Sequence, residues 1–393
     1  MAQPASDFGT SVTAQQFSKS LLKNVFRKTY LKDVANRDYE TPGNDDPKST
    51  KSIKSMNQKF TITSLFSNGW GSYSGSDLSF TAVKEVVSTL TIDTFKALSD
   101  KVMSLAAFKS SVTDPDSAVI ESAAQKLRVI LQKAVLAMYA DAGAGNWLGT
   151  PYTTGTVAVT TGTGAVTGTG TTFTASMVGK PFKAAGHTKW YRVKTYSSGT
   201  SIVIENDSDD ETSYYDGGTI GAGAAYEVQA NTKLAVTSST IAGHLATMSQ
   251  MLDEASYGDH DETTVPEDGR FVLLPAAAKA TLVQASQFNR DIEMTYKDTV
   301  VEGKVGRAYG LDIILAKTTW FQGDSTNGYF CIFGQKSWLT YGMGFVDPVN
   351  LIPAKDNQTN FGNLIKGLFG YGFKVADSRR HCGGVLYATF SVS

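Results

Sequence analysis

Between Thr150 and Ala230 the apolar residues of this chain stop recurring at helical spacing. TGTVAVTTGTGAVTGTGTTFT alternates small and β-branched residues. KPFKAA, KWYRVKTY, TSIVIEND and AAYEVQA follow, each strand-sized and bounded by Gly, Asp or Ser. The pattern predicts a small all-β unit of about five to seven strands. Helical periodicity lies on both sides of it, so the unit reads as an insertion into an α+β chain, of the kind surface loops tolerate. The 393 residues suggest two or three domains at roughly 150 residues each. Only 19% of residues are charged and 37 are glycine, a balance that favours strands and turns over solvated helices.

Upstream, Ala14–Tyr30 reads as a helix. Thr13 and Gln16 have capping-box spacing; Phe17, Leu21, Leu22, Val25 and Phe26 form its apolar stripe, and its other face is basic. Asn36–Ser55 is a polar, turn-rich loop. Gln58–Phe66 and Leu78–Val87 read as two strands of a long hairpin, joined by NGWGSYSGSD with Trp70 and Tyr73 near its tip. A two-stranded hairpin is marginal alone in water, so it is expected to dock elsewhere. Leu90–Lys101 reads as extended, then helical. Ser117–Tyr139 is the clearest helix: Ile120, Ala124, Leu127, Ile130, Leu131, Ala134, Val135 and Met138 keep the 3.6 period, and Asp114-Pro115 opens it.

Downstream, Thr240–Ala255 is helical. Arg270–Leu274 and Leu311–Ala316 are continuous apolar runs and predict buried strands. Ala276–Gln284 is a short helix, and Tyr329–Phe333 and Trp338–Tyr341 are short strands. Asn363–Val375 and Gly384–Val392 alternate as a closing hairpin would.

Chemistry-bearing motifs are scarce. Phosphate-loop, dinucleotide, HExxH and G-x-S-x-G patterns do not occur. His187, His244, His260 and His381 are scattered. Asp259–Glu262 (DHDE) and Asp207–Glu211 (DSDDE) offer oxygens to a cation, but without the spacing of a calcium loop, and both read as solvated acidic loops. No catalytic, cofactor or metal site is expected. Cys331 and Cys382 are too few for a disulfide framework, and Cys331 reads as a buried thiol. The net charge is −1, which excludes a global basic field for nucleic acid. Lys19, Lys23, Arg27, Lys28, Lys32, Lys48, Lys51, Lys54 and Lys59 do cluster early. No run is apolar enough for a membrane span, and the first residues lack signal-peptide order.

The pairing of VPEDGRFVLLP with VGRAYGLDIILA, about thirty residues later, completes an order that resembles tailed-phage major capsid proteins of the Hong Kong 97-type coat fold. The resemblance implies an N-terminal arm (1–54), an extended-loop hairpin (55–101), a peripheral domain with a spine helix (102–149), the inserted β domain (150–230), an axial domain (231–362) and a return to the sheets (363–393). It implies a protein that is not an enzyme and works by self-association into hexamers and pentamers of an icosahedral shell. Phe17, Leu21, Phe26, Lys59, Trp70, Tyr73 and Glu85 are the contact residues expected, with the apolar faces of arm and hairpin completed by sister molecules. Implied partners are a separate scaffolding protein, a portal protein, a decoration protein and enclosed double-stranded DNA held without sequence specificity; no membrane is implied. The protein would be made in the host cytoplasm and reside in the virion. Some members weld subunits through a lysine and an asparagine, for which Lys59 or Lys84 and Asn350, Asn357, Asn360 or Asn363 are available. An encapsulin-like shell protein and a surface adhesin bearing the β domain are the alternatives.

Overall fold

The computed structural model describes residues 30–40, 57–66, 84–103, 115–207, 214–257, 264–285, 304–352 and 362–391. They form two compact units, one built from 1–63, 87–135 and 339–376, the other from 64–86, 136–338 and 377–393.

The first unit is organised by two strands of fourteen residues, β20 (Leu339–Ile352) and β21 (Gly362–Val375). They run antiparallel from Leu339↔Val375 to Ile352↔Leu364. β4 (Thr94–Met103) adds antiparallel to β21, and β1 (Ala35–Glu40) adds parallel to β20. Gly370 and Gly372 allow the chain before β4 to lie directly on β21: a Cβ at 372 would stand 2.1 Å from the Thr91 carbonyl oxygen, and one at 370 would meet Phe95 and Ile92. Leu90–Lys101 therefore stays extended where its second half was expected to become helical. Ten residues of continuous pairing with β21 override the local helical preference of TIDTFKALSDK.

Helix α2 (Pro115–Ala137) starts at the expected proline and buries Ile120, Ala124, Leu127, Leu131 and Val135, the stripe the 3.6 period predicts. The short helix α1 (Leu31–Val34) is pinned to it: Tyr30 is buried and donates through Oη to the Gln132 carbonyl oxygen at 3.0 Å. Strands β2 (Lys59–Phe66) and β3 (Lys84–Thr91) form a two-stranded ribbon of their own.

In the second unit, the expected buried runs become β15 (Arg270–Pro275) and β17 (Leu311–Ala316), paired in parallel from Phe271↔Asp312 to Pro275↔Ala316. Every residue of β15 is buried, as a strand covered on both faces must be. The sheet order is β14-β22-β19-β15-β17-β16, with β14 (Leu234–Val236), β16 (Lys304–Ala308), β19 (Gly328–Gln335) and β22 (Gly383–Phe390). β18 (Gly323–Asp324) pairs with β19, and β5 (Trp147–Leu148) with β22. Helices α3 (Ile241–Glu254) and α4 (Ala278–Gln284) belong to this unit.

Two expectations about the end of the chain are corrected. The last two strands do not make a hairpin: β21 pairs with β20 and β4, whereas β22 pairs with β19, β14 and β5. Trp338–Tyr341 is not a short strand either: β20 begins at Leu339 and runs fourteen residues to Ile352, in the sheet of β21 and β4. Gly383 marks the break, where a Cβ would stand 2.5 Å from the buried Trp338 ring.

The inserted stretch folds into eight strands: β6 (Thr150–Tyr152), β7 (Thr156–Val159), β8 (Ala165–Thr169), β9 (Pro181–Ala184), β10 (Tyr191–Ser198), β11 (Ser201–Asn206), β12 (Ile220–Ala224) and β13 (Tyr226–Thr232). Alternation places Val157, Val159, Val166, Val193, Ile202 and Ile204 on one face, around Phe173, Phe182 and Tyr226. Leu131 in α2 and Phe182 in this module are both fully enclosed. Leu131→Ala is expected to cost about 2–5 kcal/mol and Phe182→Ala about 3–5 kcal/mol, each read as a lowered urea midpoint, whereas Val178→Ala at an exposed position should leave the midpoint within about 0.5 kcal/mol.

Candidate functional site

The expected contact residues Phe17, Leu21, Phe26, Trp70 and Tyr73 lie outside the described residues. Lys59 and Glu85 lie within the ribbon, and both are exposed. Strand alternation explains this. Phe60, Ser88 and Leu90 turn inward, and Phe60 and Leu90 cluster with Ile92, Ile62, Phe95 and Val346. Lys59, Thr61, Thr63, Glu85, Val87 and Thr89 occupy the alternate positions and are exposed, Val87 at 51%.

The expectation that sister chains complete the apolar face is corrected for this base of the ribbon. That face is covered by the chain's own residues, because period-two alternation aims Phe60 and Leu90 at Ile92 and Val346. At the described end of the arm Tyr30, Leu31, Val34 and Ala35 are buried; the apolar stripe expected on the arm, Phe17 to Phe26, lies outside the described residues. The face left open is polar, with Val87 as its large apolar residue.

A second site escaped sequence reasoning. Asp207, read as the start of a solvated acidic loop, is 6% exposed and accepts from three separate segments. Arg192 of β10 reaches Oδ1 through Nε at 2.9 Å and Nη2 at 2.7 Å. Arg380 reaches the same oxygen through Nη2 at 3.0 Å, and the Ala144 N–H donates to Oδ2 at 2.5 Å. Arg192 also donates to the carbonyl oxygens of Ala140, Ala142 and Gly179. The side chain of Asn146 closes the junction by donating to the carbonyl oxygens of His381 and Gly383. Residues 140–146, the inserted module and the turn at 377–383 thus meet on one carboxylate. Burial opposes its ionisation, but Arg192, Arg380 and the Ala144 N–H outweigh burial and hold the carboxyl below the usual range. A carboxylate so engaged is a clamp and not a cation ligand, and among the described residues no group of three His, Cys, Asp or Glu is gathered for a metal. Arg380 stands 173 positions from its partner, beyond the reach of any spacing rule.

Three histidines and both cysteines have shifted titration. His187 accepts from the Ala184 N–H through Nδ1 at 3.2 Å, which puts its hydrogen on Nε2, 2.8 Å from Tyr215 Oη; Tyr215 in turn donates to the Gly218 carbonyl oxygen at 2.7 Å. Burial, with Lys183 adding to it, holds the His187 pKa below its usual value. Burial does the same for His244. It also lowers His381, where Arg380 adds to the effect and Asp207 opposes it. Cys331 and Cys382 are both buried free thiols; burial raises both, Cys382 to about 11, so neither is a nucleophile at neutral pH.

No family model matches the chain, and no curated protein matches it. Solved structures similar to it include one from Mycobacterium phage Che8, at 14% identity and a TM-score of 0.46, covering 93% of this chain and 91% of that one. The capsid asymmetric unit of cyanophage Pam1 is 11% identical with a TM-score of 0.46, covering 93% of each chain. The capsid of Ralstonia phage GP4 is 8% identical with a TM-score of 0.47, covering 85% of each.

Removing the carboxylate takes the shared anion from two guanidinium groups that are 12% and 5% exposed. Asp207→Ala is therefore expected to cost about 3–5 kcal/mol, measured by denaturant unfolding. The pH dependence has a fixed sign. His187, His244 and His381 have folded pKa values below the unfolded 6.5, so their contribution is present above that value and lost as pH falls. Asp207 is also lowered, and its contribution is lost only in stronger acid, below its ordinary 3.8. Thermal midpoints should start to fall below about pH 6.5, and His187→Gln should flatten part of that slope.

Proposed function

We propose that this chain is a tailed-phage major capsid protein that self-assembles into an icosahedral shell of hexamers and pentamers. The ribbon β2–β3 carries the reading. Among the described residues its strands join none of the three larger sheets, one face is closed by Phe60, Leu90 and Ile92, and the other presents Lys59, Glu85 and Val87 to solvent. A two-stranded ribbon is marginal in water, and a neighbouring copy covering that second face would stabilise it. Opposite charges at Lys59 and Glu85 suit a partner identical to the chain itself.

In this reading residues 1–54 are the arm, 55–101 the extended loop and 150–230 an added domain on the outer surface. Phe17, Leu21, Phe26, Trp70 and Tyr73 complete the contacts begun by Lys59 and Glu85. Each contact is modest, and several on one subunit raise the effective affinity together. The chain acts by packing and performs no reaction. Scaffolding, portal and decoration proteins are its partners, the shell encloses double-stranded DNA without reading its sequence, and assembly takes place in the host cytoplasm. No described helix is long and apolar enough to cross a membrane.

Electron microscopy of the purified protein tests this reading. Hollow shells of uniform size are expected; a small monodisperse species at high concentration would contradict it, and particles loaded with a protein cargo in place of DNA would favour an encapsulin-like shell. Val87→Asp is expected to cut the assembled fraction while changing subunit stability by no more than about 0.5 kcal/mol, since the position is exposed.

A further inference from the structure

The connection from β18 to β19 holds an Asn-Gly pair, Asn327-Gly328. Asp324 faces Gly328 across the hairpin, so Ser325, Thr326 and Asn327 form the link, and all three are exposed. In an unconstrained chain such a pair is chemically labile. The Gly328 amide nitrogen gives its proton to hydroxide and attacks Asn327 Cγ. The N–Cγ bond forms, the Cγ–Nδ2 bond breaks, and the side-chain nitrogen leaves as ammonia. Water then opens the ring at either carbonyl and leaves aspartate or isoaspartate at 327. Glycine makes the attack easy, because no side chain hinders the rotation that brings its nitrogen to Cγ.

The fold opposes each of these movements. Asp324 Oδ1 accepts from the Thr326 N–H at 2.7 Å and from the Asn327 N–H at 2.6 Å, an Asx turn that fixes the backbone. Asp324 Oδ2 accepts from Asn327 Nδ2 at 2.8 Å, which ties the leaving group down. The Tyr387 hydroxyl donates to the Asn327 carbonyl oxygen at 2.5 Å, and Lys233 donates through Nζ to that of Thr326. The attacking nitrogen lies in packed backbone. Gly328 is buried, and a Cβ there would stand 2.9 Å from Lys233 Cβ and 3.0 Å from the Tyr387 ring. A Cβ on Gly323 would stand 1.8 Å from the Gly328 carbonyl oxygen. The hydrogen bonds from Asn327 and Thr326 hold the Asp324 carboxyl below its usual range, so it is charged at neutral pH.

We propose that Asn327 is a latent deamidation site guarded by Asp324: conversion proceeds only while the β18–β19 connection is open, and the product then bars it from closing. The second half follows from the same geometry. A carboxylate at 327 has no hydrogen to give Asp324 Oδ2 and sets a second negative charge against it. Isoaspartate also lengthens the backbone by a methylene, in a connection where the close approach of Gly323 to Gly328 leaves no slack. Each opening thus carries a risk of permanent loss. The proposal does not rest on the reading of the chain as a shell subunit.

Peptide mapping by mass spectrometry of the full chain, aged at mildly alkaline pH, tests it. Conversion at 327 should be at least about tenfold slower in the native protein than in urea, since it waits on local opening; equal rates overturn the proposal. Asp324→Asn keeps an acceptor for the Asx turn but sets an amide donor against Asn327 Nδ2, and it should convert several-fold faster than wild type under native conditions. A wild-type rate in that variant overturns the guarding role. Asn327→Asp supplies the product directly and should lower the melting temperature by a few degrees. Adding Asp324→Asn should restore it, because an amide then donates to the new carboxylate. An Asn327→Asp chain that melts with wild type, or one that Asp324→Asn does not rescue, overturns the claim that the product bars closure.

Discussion

The antiparallel pair β20–β21 is the constraint on which the rest of the architecture depends. It joins residues that no local rule connects: β1 from the start of the chain pairs with β20, and β4, which precedes α2 in the chain, pairs with β21. Its glycines are as important as its hydrogen bonds. Side chains at 370 and 372 would stand where Thr91, Ile92 and Phe95 lie, so the alternation GLFGYGFKV serves two purposes, with aromatic residues packing and glycines admitting a second layer of backbone.

The same pair determines what the ribbon can offer. β3 runs into β4 through Ile92, and Ile92 is the residue on which Phe60 and Leu90 close. Pairing of β4 with β21 therefore fixes which face of the ribbon is covered by its own chain and which remains open. Which side chains that open face presents follows from strand alternation once the register is set. Asp207 does comparable work for the second unit, tying the inserted module to the turn at Arg380 through two guanidinium groups that share one buried carboxylate. Well-packed apolar residues would often be as stable. The ion cluster instead specifies one mating of three segments, since any other mating leaves a guanidinium without its acceptor.

Much of this was legible in the sequence. The stripe from Ile120 to Val135, the change of period at Thr150 and the apolar runs at Arg270 and Leu311 follow directly from the amphipathic demands of helix and strand. Pairings between distant segments were not legible. Gly362–Val375 and Gly383–Phe390 both alternate, and alternation identifies a strand without naming its partner; adjacency suggested a hairpin where the chain places them in different sheets. Asp207 read as solvent-exposed because acidic runs usually are, and only the fold brings Arg192 and Arg380 to it.

The central claim is that β20–β21 is complete within one chain, whereas the open face of the ribbon is completed by another copy. Amide hydrogen exchange of the dissociated subunit and of the assembled particle tests it most directly. The account predicts strong protection of residues 339–352 and 362–375 in both states, and protection of 59–66 and 84–91 that rises sharply on assembly. Equal protection of the ribbon in both states would contradict it.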